Sequence, residues 1–165
     1  MNDCQNRIAF RWQLIAVLLT TIWGCSPQSP QTAANLQQQI GDVGGKLTIK
    51  EEFILADLSK SRVTDQDLGR FSGLDRITHL TLDHTAITDD GLANLKFAMH
   101  LQSLDLRNTQ ITDYGLEHLK GLKTLKCVAL DHCNLTKVGM DDLERALPDA
   151  LITATRDWED GKRGP

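Results

Sequence analysis

No stretch of this chain stays apolar for the ~20 residues that cross a bilayer. The longest candidate, Trp12–Trp23 (WQLIAVLLTTIW), spans only 12. That length, preceded by Arg7 and Arg11, fits the h-region of a signal peptide better than a membrane span. Basic charge is also short. A net charge of −4 argues against a nucleic-acid footprint. No P-loop, dinucleotide fingerprint or HExxH occurs, so nucleotide and zinc-protease chemistry find no motif, and no cofactor is implied. Cysteine is limited to four positions, Cys4, Cys25, Cys127 and Cys133. Cys127 and Cys133 lie six apart, across a strand and a turn, where Cα atoms rarely come within the ~7 Å a disulfide needs.

What the chain does have is a repeat of 24 residues, opening at Phe53, Ile77, Leu101 and Leu125. Seven columns, at offsets 1, 4, 6, 11, 16, 19 and 22, test it. All 28 positions are apolar in a chain that is 41% hydrophobic, which chance does not explain. A fifth start is expected at Leu151, delayed two residues by an insertion near Pro148.

Each unit changes period within itself. Leu104 and Leu106 alternate as the inward side of a short strand. Thr112 then stands at a helix N-cap, with Asp113 in the first turn, where the helix dipole favours negative charge. Leu116 and Leu119 share a helical face. Gly121 and Gly73 are expected to close their helices, and Phe97 at the same place predicts a different helix end. One strand and one helix cannot bury their apolar sides alone, but stacked units share a continuous core.

Leu101–Leu106 reads L-x-x-L-x-L, and Thr109–Leu116 reads T-x-I-T-D-x-G-L. These residues resemble the leucine-rich repeat family, over roughly Phe53 to Thr155. The column Ser61, Thr85, Thr109, Cys133 resembles the bacterial, cysteine-containing type. The fourth unit departs, with Asn134-Leu135-Thr136-Lys137 and Met140, as suits the end of a stack. The resemblance implies an α/β fold: a right-handed solenoid with a parallel concave sheet and short helices on the convex side. It also implies a non-enzymatic module that binds a protein or peptide on the concave face.

Ile22-Trp23-Gly24-Cys25 resembles a lipoprotein processing box, although Trp23 stands where a small residue is usual. The resemblance implies that Cys25 becomes the lipid-modified N-terminus; an uncleaved signal anchor and secretion are the alternatives. The expected organisation is a signal peptide at 1–24, a tether at 25–35 and an N-terminal cap at 36–52. Repeats follow at 53–155, and a cap and tail with Trp158 at 156–165. In the cap, Leu36, Ile40 and Val43 share a helical face, and Leu47 and Ile49 share one side of a strand.

Offsets 3, 5 and 7 face outward from the sheet. The expected contact patch is Asp57, His79, Thr81, Asp83, Ser103, Asp105, Arg107 and Asp131. Asp83, Arg107 and Asp131 should form a row of alternating charge on strands ~4.8 Å apart. His79 and Ser103 are lateral neighbours with Asp57 diagonal, but no elbow or oxyanion hole accompanies them, so no catalytic residue is assigned. His84 and His132 are two units apart, too far to share one metal, so no metal site is assigned. Gly91, Gly115 and Gly139 recur with the repeat and read as packing glycines. The expectation is a monomeric, membrane-anchored lipoprotein of the bacterial envelope, facing the periplasm or exterior. A scaffold or spacer without a dedicated ligand is the alternative.

Overall fold

The computed structural model describes residues 30–50, 53–71 and 73–155. The chain divides into Met1–Thr32 and Ala33–Pro165, and the repeats belong to the second unit. The leader 1–24, Cys25 and the tail with Trp158 lie outside the described residues.

Helix α1 (Pro30–Asp42) is followed by β1 (Lys46–Ile49) and β2 (Ile54–Asp57). Then come α2 (Asp65–Arg70), β3 (His79–Thr81), α3 (Asp89–Leu92), β4 (Ser103–Asp105) and α4 (Asp113–Leu119). The last elements are β5 (Cys127–Ala129), α5 (Lys137–Ala146) and β6 (Leu151–Thr153). Two 3₁₀ segments, Leu74–Arg76 and Ala93–Phe97, complete the second half of their units. α1 begins inside the stretch expected to be tether, since proline is compatible with a first helical turn. It ends where Gly44 takes φ +87 and the Gly45 N–H reaches back to Ile40 O at 2.8 Å.

The six strands form one sheet in chain order. β2 to β6 are parallel, but β1 runs antiparallel to β2, so the sheet is mixed and not wholly parallel. The reason is local. The Lys50 N–H bonds Phe53 O at 2.9 Å, and so short a return leaves no room for the crossover that parallel strands need. Leu47 and Ile49 share one side of β1 as expected, opposite Ala56 and Ile54, but Leu47 is buried while Ile49, at the hairpin end, is 52% exposed.

Within the parallel part, each 24-residue unit forms one coil. Leu55, His79, Ser103, Cys127 and Leu151 pair in one continuous file. Their inward neighbours Ala56, Leu80, Leu104 and Val128 stack beneath, as do Leu58, Leu82, Leu106 and Leu130. Each leucine so buried stabilises the fold by ~1.5–3 kcal/mol. Of the 28 repeat positions, 26 are buried. Phe53 is half-buried beside the hairpin, and Ala146 gives way to the adjacent Leu147, which is 4% exposed.

The last strand corrects the expected insertion. Leu151 pairs with Cys127, 24 residues earlier, so the spacing runs on without a delay. Backbone bonds set this register: Leu151 N–H to Lys126 O repeats Cys127 N–H to Gln102 O. Leu151 therefore points outward, at 65% exposed, while Ile152 is the residue that packs on the core.

Polar ladders tie the coils together. The Asp65 carboxylate accepts the Thr88 N–H (2.9 Å) and hydroxyl (2.7 Å) from the next coil. Asp89 does the same for Thr112, at 2.8 and 2.5 Å, and Asp113 for Thr136, at 2.8 and 2.5 Å. Asp113 thus bridges to the following coil in addition to facing its own helix dipole. Each carboxylate lies over a glycine: a Cβ at Gly91, Gly115 or Gly139 would overlap Asp65, Asp89 or Asp113. For coil 1 the ladder column holds Gly41, 24 residues before Asp65, so that column offers no carboxylate. There Asp67 stands in the glycine column and accepts the Thr64 N–H and hydroxyl as a capping box. Coil 4 carries Lys137 in place of the bridging aspartate.

Gly73 adopts φ +93 beyond the end of α2, but Gly121 is not in the left-handed region. The two coil bottoms that follow share one turn. The Met99 N–H bonds Phe97 O at 2.8 Å, and the Lys123 N–H bonds Gly121 O at 3.0 Å. The glycine is therefore not what closes α4. A different helix end was expected at Phe97, but the turn there is the one coil 3 makes; what differs is the helix before it, since α3 is four residues long and continues as 3₁₀.

Candidate functional site

The sheet face turned away from the helices carries the outward residues of β2 to β5, half-buried by their neighbours. Its first file holds Leu55, His79, Ser103 and Cys127, and its second Asp57, Thr81, Asp105 and Ala129. Ser59, Asp83, Arg107 and Asp131 follow where the strands turn into the corner. All eight residues expected as a contact patch lie on this face.

Its charges do not pair as expected. Arg107 reaches back along its own strand to Asp105, with Nε to Oδ1 at 2.9 Å and Nη2 to Oδ2 at 2.7 Å. This two-toothed contact, more than the fields of Asp83 and Asp131, pushes the guanidinium pKa upward. A bidentate guanidinium–carboxylate pair is planar and close, so the in-strand partner wins over partners one strand away. Asp83 is held instead by the Asn108 amide (3.0 Å) and by His84 Nδ1 (2.8 Å). Burial pushes the Asp83 carboxyl up, but Asn108, His84 and the charge of Arg107 together outweigh it and leave its pKa below the ordinary value. Asp57 accepts the Ser59 N–H (3.1 Å) and hydroxyl (2.5 Å), and Asp131 accepts the Thr155 hydroxyl (3.2 Å). With Asp105 neutralised by Arg107, the face presents Asp57, Asp83 and Asp131 as carboxylates of one sign.

His79 and Ser103 are direct strand partners. The imidazole nevertheless engages Thr78 Oγ1 through Nδ1 at 2.9 Å and leans on the Phe53 ring, centroid to centroid 5.3 Å. Lys50 Nζ lies over the same Phe53 ring, 5.1 Å from its centroid. Sequence reasoning missed this Lys50–Phe53–His79 group, because only the antiparallel hairpin brings Lys50 beside Phe53. It also missed Asn108, whose reach to Asp83 depends on the backbone of the corner.

That corner is left-handed in every coil: Lys60, His84, Asn108 and His132 all have φ between 54 and 59°. Asparagine tolerates that region better than lysine does. Behind the corner, Thr85 and Thr109 hydroxyls donate to Leu82 O and Leu106 O, each at 2.6 Å. Cys133 takes the same column and donates its thiol to Leu106 O at 3.1 Å. Burial raises the Cys133 pKa, against bonds from Thr109. Both Cys127 and Cys133 are free thiols.

No curated protein matches the chain. A family model described as Leucine Rich repeat matches residues 97–120, a span of one 24-residue period. Those residues run from the bottom of coil 2 through β4 and α4, and the same hydrogen bonds recur in the coils on either side. The matched stretch is thus a leucine-rich repeat, and the chain around it is an α/β fold that repeats the same unit.

Proposed function

We propose that this chain is a non-catalytic binding module that recognises a protein or peptide on its exposed sheet face. Leucine-rich repeats generally mediate protein binding. One observation supports this face: its polar side chains are already held. Asp57, Asp83, Asp105 and Arg107 each have a partner before any ligand arrives. Side chains ordered in advance lose little freedom on binding, at a saving of ~0.5–1.5 kcal/mol for each one fixed. The three unneutralised carboxylates favour a polar or basic partner surface.

In this reading the repeats at 53–155 form a right-handed solenoid whose concave side is the binding face, between a cap at 36–52 and a tail at 156–165. The protein is monomeric. Residues 1–24 are a lipoprotein signal, and a lipid on Cys25 holds it in the bacterial envelope through the tether. The apolar stretch Trp12–Trp23 followed by Gly24-Cys25 supports the anchor. A chain with Asp83, Asp105 and Asp131 all exchanged for Ala tests the face. It should fold, by its melting curve, and lose most of the envelope proteins the natural chain recovers in a quantitative pull-down. Unchanged recovery removes the face from the account.

A further inference from the structure

The helix ends of the coils form a lower edge, and one coil differs there from its neighbours. Phe97 and Met99 are 65% and 66% exposed, on either side of the buried Ala98. The corresponding positions are Gly73 and Asp75 in coil 1 and Gly121 and Lys123 in coil 3. Two large apolar side chains therefore project from a turn that folds equally well without them. Around them are exposed lysines. Lys96 Nζ lies 4.9 Å over the Phe97 ring, and Lys123 donates to the uncharged Ala146 carbonyl at 2.8 Å. Lys126 follows on the same edge, and none of the three is in an ion pair among the described residues. Asp75 in coil 1 and the exposed Asp149 in coil 4 are the carboxylates in the corresponding turns. This is a basic collar around an apolar pair, on a chain whose net charge is −4.

The direction of α1 adds a second observation. Its last turn lies by the start of α2, with Val43 O accepting the Arg62 N–H at 3.0 Å. Gln39, one turn earlier, donates to Arg70 O at the end of α2 at 3.2 Å. α1 is thus antiparallel to α2, and the six residues from Gln39 back to Ala33 carry it ~9 Å further toward the lower edge. Cys25 is eight residues before Ala33, a reach of at most ~28 Å.

We propose that the lower edge, with Phe97 and Met99 inserted among headgroups and Lys96, Lys123 and Lys126 against their phosphates, rests on an anionic lipid bilayer. The inference depends on the lipid anchor proposed at Cys25. A small apolar pair binds a bilayer weakly alone, but a short tether keeps it at high effective concentration. Resting on this edge would leave the sheet face free for its partner.

The test uses the full chain recovered from membranes, with isotope-labelled methionine methyl groups. It is placed in nanodiscs of phosphatidylcholine and phosphatidylglycerol that carry a nitroxide lipid. The Met99 methyl should broaden several-fold more than that of Met140, which is buried in coil 4. Broadening should fall in discs without phosphatidylglycerol. Phe97→Ser should sharpen Met99 while the chain still migrates with the discs. A chain that stays on the discs with Met99 sharp overturns the edge and leaves the anchor standing. A chain that does not stay on them overturns both.

Discussion

Replacing Gly115 with Ala should destabilise the protein, although alanine is the better helix former by ~1 kcal/mol. The added Cβ would overlap Asp89 Oδ1 and press on Ile111 Cγ2. Asp89 must then turn away and release both of its bonds to Thr112, at 2.8 and 2.5 Å. Bonds to a charged acceptor are worth ~1.5 kcal/mol each at the lower end of their range. Two lost bonds less the gain in propensity leave a net loss of ~2 kcal/mol. With a urea slope of ~1.5 kcal/mol per molar, the midpoint falls by ~1.3 M. The control is Gly121→Ala, where nothing lies within 4 Å of the new Cβ and the backbone is not left-handed. That change should be neutral or raise stability by up to ~1 kcal/mol. The decisive comparison is Gly115→Ala in an Asp89→Ala background. With no carboxylate to displace, only the Ile111 contact remains, and the loss should shrink well below that in the natural background. An equal loss in both backgrounds would refute the ladder as the reason for the glycine.

Other outcomes follow from the same geometry. Lys60→Gly should raise stability by ~1 kcal/mol in urea melts, because Lys60 holds φ 54° without a side-chain reason to do so. An alkylating reagent near pH 8, followed by peptide mapping, should label Cys127 well before Cys133, whose thiol is held protonated by burial. Asp83 has a folded pKa below its unfolded value, so its contribution is complete above ~3.9 and is lost as pH falls through the lower folded value. The stability difference between the natural chain and Asp83→Asn should therefore be constant at neutral pH and shrink below ~3.9.

The coils were legible because burial acts on every repeat at once. Leu82, Leu106 and Leu130 answer to the same inward position, and a period of 24 exposes them without any structure. Register at the end of the stack was harder to read. Leu151 looks like another opening leucine, but main-chain bonds to Lys126 place it outward and leave the opening column to Asp149. Hydrophobicity carries no information about those bonds. The Asp–Thr–Gly ladder was visible only as the string T-D-x-G. Its meaning appears when Asp113 is seen to bind the coil that follows and to exclude a Cβ at Gly139. The eight residues do share one face of the sheet, but the pairing of Arg107 with Asp105 was not foreseen. Column arithmetic treats neighbouring strands as equal partners, and a long guanidinium instead chooses the closest flat fit.

Coils stack through one repeated set of contacts, so a coil can be added wherever its neighbours supply them. Inserting a second copy of residues 101–124 directly after the first tests this most directly. Asp113 would then hold the duplicated Thr112, and the core would lengthen by one layer. Equilibrium unfolding in urea should show one transition, with a higher midpoint and a steeper slope than the natural chain. A lower midpoint, or a second transition for the added coil, would contradict the account.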